Sequence, residues 1–107
     1  MSDRSVTPSD EHVQAIWKGT VIANSDRTIR VEGNHYFPRD DVKHELLNDS
    51  SEHSFCPWKG TASYYDLVID GDRNPGAVWY YPETLPEATG IKDYLAFWRG
   101  VEVALAG

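Results

Sequence analysis

Cysteine and methionine each occur once in this chain of 107 residues. A single thiol, Cys56, excludes an internal disulfide framework and any zinc site built from several thiolates of this chain. No apolar run approaches the roughly 18 residues of a membrane span. Residues 1–11 contain no apolar stretch of the kind a secretory signal needs. A cytoplasmic location without membrane association is the resulting expectation. Positive charge is scarce: ten Lys and Arg face seventeen Asp and Glu, for a formal net charge of −7. A phosphate-tracking surface needs clustered Lys and Arg, so this balance argues against a nucleic-acid partner. A Gly-rich phosphate loop of the G-x-x-x-x-G-K-[ST] kind is also absent. The residues predict neither a cofactor nor a metal site.

Aromatic residues, by contrast, are plentiful: four Trp, six Tyr and three Phe make up 12% of the chain. A chain of this length buries about two-thirds of its unfolded surface, enough for one core without staples. The expected organisation is a polar tail over 1–11 and a single β domain over 12–107. The charge is spread along the chain. Segment 54–81 carries only −1 yet holds seven of the thirteen aromatics. The acidity therefore reads as a solubility coat around a nearly neutral aromatic centre, and that centre is where function should lie.

An internal echo organises the chain. Trp17-Lys18-Gly19-Thr20 recurs as Trp58-Lys59-Gly60-Thr61, and the units end at Tyr36-Phe37-Pro38 and Tyr80-Tyr81-Pro82. From tryptophan to proline they span 22 and 25 residues. Ala96-Phe97-Trp98-Arg99-Gly100 is a weaker third copy. The reading is a mainly β fold in which two similar β units, 17–38 and 58–82, pack as a compact sandwich.

Alternation places the strands. Segments 18–23 and 27–32 flank Ser25-Asp26. In 61–69, Tyr65, Leu67 and Ile69 share one face while Tyr64, Asp66 and Val68 share the other. Asp70-Gly71-Asp72 supplies hairpin turn chemistry, and 78–81 is the return strand. Pro82 and Pro86 bound a loop. One short helix is expected at 40–47, with Asp40 and Asp41 at its N-terminus and Val42 and Leu46 on one face. The segment 91–103 fits both helix and strand spacing, and its β-branched valines favour strand.

Four stretches carry a family resemblance: Cys56 to Tyr65, Glu32 to Pro38, Ala77 to Pro82 and Ile91 to Phe97. Together they resemble domain-of-unknown-function family 427, over residues 12–103. The resemblance implies a compact, mainly β domain, of the β-tent kind. Zinc-binding β-tent relatives use paired Cys-x-x-Cys knuckles, which this chain lacks. The family is also described as a nucleotidyltransferase domain. Its C-terminal strand usually runs Ala-Phe-Tyr-Trp-Asp, whereas this chain has Ala96-Phe97-Trp98-Arg99-Gly100.

Each candidate for chemistry has a functional and a structural reading. Cys56 is either a nucleophile with His35, His44 or His53 as base, or a small buried apolar side chain. Lys59 either holds an anion or forms a Schiff base, or simply lies over Trp58 in a turn. Lys18 repeats both options. His35, after the turn-forming Gly33-Asn34, is either a general base or a turn cap. Asp40-Asp41 and Asp70/Asp72 read better as helix-start and hairpin-turn residues than as metal ligands. Trp58, Tyr64, Tyr65, Trp79, Tyr80 and Tyr81 crowd around the second lysine turn. Neighbouring strand residues point to opposite faces, so one tyrosine of each pair packs inward and the other is free to line a cleft.

The sequence thus predicts binding of a small anionic or aromatic ligand at Lys18, Trp58, Lys59, Tyr64, Tyr65, Trp79, Tyr80 and Tyr81. Cys56, Lys59 and His35 are the candidates for any catalysis, and whether the protein is an enzyme is left open. A non-catalytic protein-interaction module is one alternative. Nucleotidyl transfer, carried by the resemblance alone, is another.

Overall fold

Three hairpins of the chain turn on the same chemistry, a residue followed by glycine with both in the left-handed region. Lys18-Gly19 (φ 50° and 75°) joins β2 (Val13–Trp17) to β3 (Thr20–Ser25). Glu32-Gly33 (54° and 82°) joins β4 (Ile29–Val31) to β5 (Asn34–Tyr36). Asp70-Gly71 (49° and 83°) joins β7 (Gly60–Ile69) to β8 (Asp72–Thr84). Two consecutive positive φ angles match the twist of the flanking strands, which is why glycine holds the second place each time. These elements come from a computed structural model that describes residues 5–106.

The remaining strands are β1 (Thr7–Pro8), β6 (Leu47–Cys56), β9 (Leu95–Phe97) and β10 (Glu102–Leu105). Every pairing between strands is antiparallel, in three sheets ordered β1-β4-β5, β10-β2-β3 and β6-β7-β8-β9. The protein is mainly β and compact, with a radius of gyration of 13.2 Å.

The four-stranded sheet is covered on both faces. Leu67 and Ile69 of β7, Val78 of β8 and Leu95 and Phe97 of β9 join Val13, Ala15, Ile22 and Ala23 in one core. Ala62 and Tyr64 of β7, Tyr81 of β8 and Ala96 of β9 join Val31, Tyr36, Trp58 and Ile91 in a second. Alternation along each central strand therefore feeds two cores rather than one core and solvent.

The expected two-unit picture divides differently in space. Unit 58–82 is a hairpin within one sheet. Unit 17–38 is split, β3 pairing with β2 and β4–β5 pairing with β1. The repeated Trp-Lys-Gly-Thr letters also occupy unlike turns. Lys18 sits in a two-residue turn, whereas Pro57, Trp58 and Lys59 form a longer connection between the paired Cys56 and Gly60.

The short helix expected at 40–47 takes the form of two 3-10 turns, Arg39–Asp41 and His44–Leu46. Between them Val42 is extended (φ −116°, ψ 140°), buried in the first core and bridged to Ala23 of β3. A β-branched residue pinned by a strand cannot carry a helix through. The loop expected between Pro82 and Pro86 is mostly strand, since β8 runs through Pro82 to Thr84, and a 3-10 segment, Pro86–Ile91, follows it. A register shift between Thr61 and Ser63 bulges β8 there, which accommodates a residue with no N–H to donate.

After Ile91, segment 91–103 carries strand rather than helix, in two short pieces: β9 belongs to the four-stranded sheet and β10 to the sheet of β2 and β3, with a turn between them. Of the segment expected as a tail, residues 1–4 lie outside the described residues. Thr7 and Pro8 pair with Arg30 and Ile29, and the Ser9 amide donates to the Thr28 carbonyl at 2.9 Å. Among the described residues no helix is long and apolar enough to cross a membrane.

Candidate functional site

Tyr64 on β7, Trp79 and Tyr81 on β8, Lys59 before β7 and Trp98 after β9 line one concavity of about 170 Å³. Tyr64 and Trp79 are paired across the β7–β8 ladder, and Tyr81 lies two residues beyond Trp79 on the same face. Strand parity thus sets three rings side by side. Trp98 arrives from the turn after β9 and remains 41% exposed, forming the open rim. Its ring meets Trp79 at 5.6 Å and 73°, and Tyr64 at 6.4 Å and 32°.

The polar edges of Trp79, Trp98 and Tyr64 are already engaged. The Trp79 indole donates to the Tyr36 hydroxyl at 3.0 Å, and the Trp98 indole to the Gly76 carbonyl at 2.7 Å. The Tyr64 and Ser54 hydroxyls share a hydrogen bond of 2.7 Å. The walls are therefore held in place and present mainly ring surface to the cavity. Arg99 supports the rim from behind. Its guanidinium lies 4.4 Å from the Trp98 ring centroid, pairs with Glu52 at 3.1 Å and donates to the Pro75 carbonyl at 2.8 Å.

Lys59 supplies the charge. It is only 8% exposed, and its ammonium lies 5.5 Å from the Trp58 ring and 5.7 Å from the Tyr81 ring. It donates to Glu32, whose side chain stays 36% exposed. Burial opposes the charge, but the Glu32 carboxylate and the nearby Tyr36 and Tyr81 phenols outweigh it, so the Lys59 pKa lies above that of a free lysine. The Lys59 nitrogen is thus an ammonium at neutral pH, paired with a carboxylate. Tyr81 is pushed up to about 12, chiefly by burial, so its phenol stays protonated.

The other residues singled out in the sequence lie elsewhere. Tyr65 and Tyr80 face the first core, where they stack at 4.6 Å and 13°. Arg39 joins them, donating to the Tyr65 hydroxyl at 2.9 Å with its guanidinium 5.0 Å from the Tyr80 ring. Lys18 is exposed and pairs with Asp72 at 3.3 Å. The two lysines of the echo thus have separate partners, Asp72 and Glu32. Trp58 backs Lys59 without lining the cavity.

Cys56 ends β6, partly buried against the second core. The three histidines considered as its base have other partners: His35 with Thr28 at 2.7 Å, His44 with the Arg39 carbonyl at 2.7 Å and His53 with Ser63 at 3.3 Å. Burial and the nearby Arg30 hold the His35 pKa below its usual value. Asp41 accepts from Ser25 at 2.6 Å and Arg27 at 3.2 Å, the role of a structural carboxylate. Among the described residues no group of three or more His, Cys, Asp or Glu is arranged to hold a metal.

Sequence reasoning missed two participants, Trp98 and Glu32. Trp98 was visible as part of the weak third echo and of a segment that departs from the family's C-terminal pattern. Glu32 showed as the start of a family-like stretch, before a turn-forming glycine.

No curated protein matches the chain. Residues 5–106 match one family, Domain of unknown function (DUF427), labelled NTP_transf_9, and the chain belongs to that family.

Proposed function

We propose that this domain binds a small planar ligand in the cavity lined by Lys59, Tyr64, Trp79, Tyr81 and Trp98. The observation that carries the reading is that these five side chains converge on one concavity while their indole N–H groups are tied back into the protein. Ring faces with fixed edges suit a flat, largely apolar group, and a single ammonium gives it an orientation. Size narrows the ligand. About 170 Å³ is below the roughly 300 Å³ at which pockets for drug-sized molecules begin, so one ring fits and a whole nucleoside triphosphate does not. Nucleotidyl transfer therefore rests on the family label alone.

Thermal unfolding in the presence of single-ring probes tests the reading, because a ligand that binds only the folded state raises the melting temperature. Benzamide and phenol are expected to stabilise the wild-type chain and to lose that effect in Trp98→Ala. No shift in either protein, or equal shifts in both, contradicts the reading.

The protein-interaction alternative draws on another surface. Phe55 is 69% and Leu85 38% exposed, and both line a second concavity of about 470 Å³ with His53, Ser63 and Pro82. A docking role there predicts that Phe55→Ser abolishes association with an apolar partner segment while ring binding at Trp98 persists.

A further inference from the structure

We infer that the ligand is a single planar ring bearing a carboxylate, and that this carboxylate takes the place of Glu32 on the Lys59 ammonium. The inference rests on the ring-binding reading above and assigns the ligand's charge.

The ion pair is asymmetric. Lys59 is 8% exposed, wedged between the Trp58 and Tyr81 rings. Glu32 reaches it from the solvent side, on the two-residue turn between β4 and β5, with its side chain 36% exposed. A buried ammonium left without an anion is costly, whereas a half-exposed carboxylate released to water is not. Lys59 therefore stays in place and its anion is exchangeable.

Glu32 also borders a depression of about 250 Å³ with Ser5, Thr7, Arg30 and Gly33. A carboxylate leaving Lys59 has open space there and the Arg30 guanidinium along its wall.

Charge and donor count fix the class of anion. Lys59 is the one cation among the residues lining the cavity, and one carboxylate neutralises it now. The replacement that preserves this balance carries a single negative charge. A phosphate dianion would bring an uncompensated charge against the Trp79, Trp98 and Tyr64 rings, whose negative faces oppose it. A neutral ring fits beside Lys59 but leaves Glu32 in place.

Isothermal titration of the full chain with benzoate, benzamide and phenyl phosphate tests this. Wild type is expected to bind benzoate, and Glu32→Gln to bind it about tenfold more tightly, because the competing anion is gone and the competent state no longer has to be populated first. Benzamide affinity should be the same in both proteins, and phenyl phosphate weaker than benzoate in both. Lys59→Met should retain benzamide and lose the gain for benzoate.

Benzoate binding that is unchanged or weakened in Glu32→Gln overturns the inference. So does benzoate preference that survives in Lys59→Met, or tighter binding of phenyl phosphate. Benzamide binding without benzoate binding overturns the carboxylate assignment and leaves the ring cavity standing. Binding of none of the three probes, in wild type or Glu32→Gln, overturns both. The wild-type comparison of benzoate with benzamide needs no variant to fold.

Discussion

The indole N–H of Trp79 donates to the hydroxyl of Tyr36 across 3.0 Å, and the two rings meet edge to face at 90° with centroids 6.0 Å apart. The residues are 43 positions apart, on β8 of the central sheet and β5 of the small sheet. One contact thus joins two sheets and fixes a wall of the cavity. Tyr36 is fully buried, and burial raises its pKa, so the hydroxyl is held neutral. Tyr36→Phe leaves the indole N–H without its acceptor. We expect a loss of about 1–3 kcal/mol in urea unfolding. Benzamide binding should weaken as well, because Trp79 is no longer held in orientation.

The echoed glycines should respond unequally. Gly60 has φ +120°, and an added Cβ would meet the Glu83 carbonyl at 2.9 Å. Gly19 has φ +75° with nothing within 4 Å. Gly60→Ala should cost at least about 2 kcal/mol, combining backbone strain with a clash against backbone that cannot move aside. Gly19→Ala should cost about 1 kcal/mol from φ alone. Parallel denaturation curves measure the difference, and equal losses would mean that the two turns are equivalent after all.

Acid should destabilise the protein through Asp66. This carboxylate is 3% exposed, pairs with Arg73 and accepts from the Gly76 amide at 2.8 Å. The Arg73 guanidinium, and then the Gly76 amide, hold its pKa below the ordinary 3.8 despite burial. A lowered folded pKa means that the contribution is complete above that ordinary value and fades as pH falls through the folded one. Asp41, lowered by Arg27 and Ser25, acts in the same direction. His35, whose pKa is also lowered, adds a loss that begins as pH falls through the ordinary histidine value, so stability should decline gently in mildly acidic pH and more steeply below about pH 4. Asp66→Asn should be less stable at neutral pH by about 1–3 kcal/mol, with a shallower acid limb.

Much of this architecture was legible where residues alternate. Asp70-Gly71 announced its hairpin, and the parity of Tyr64 against Tyr65 was correct. Parity did not say which tyrosine meets a ligand, because both faces of the central sheet are covered and both tyrosines find rings to pack on. β6 was not legible. Its sequence, Leu47 to Cys56, is polar, mostly exposed and without period-two patterning. It is an edge strand whose order comes from backbone pairing with β7, which no side-chain pattern records. Val42 shows the reverse case: helical spacing with Leu46 was real, but pairing with Ala23 decided its conformation. Lys59 was recognised from its place beside Trp58. Its partner Glu32 lies 27 positions earlier, brought over by the β4–β5 turn. The ion pair is a product of the tertiary fold.

The most direct test of the cavity follows the tryptophan indole N–H resonances by two-dimensional NMR during a benzamide titration. Trp79 and Trp98 line the cavity, whereas Trp17 packs against the opposite core and serves as an internal control. The account predicts saturable shifts of the Trp79 and Trp98 signals on one binding curve, with Trp17 unmoved. Shifts confined to Trp17, shifts of all the tryptophans alike, or no shift up to the solubility of the probe would contradict it.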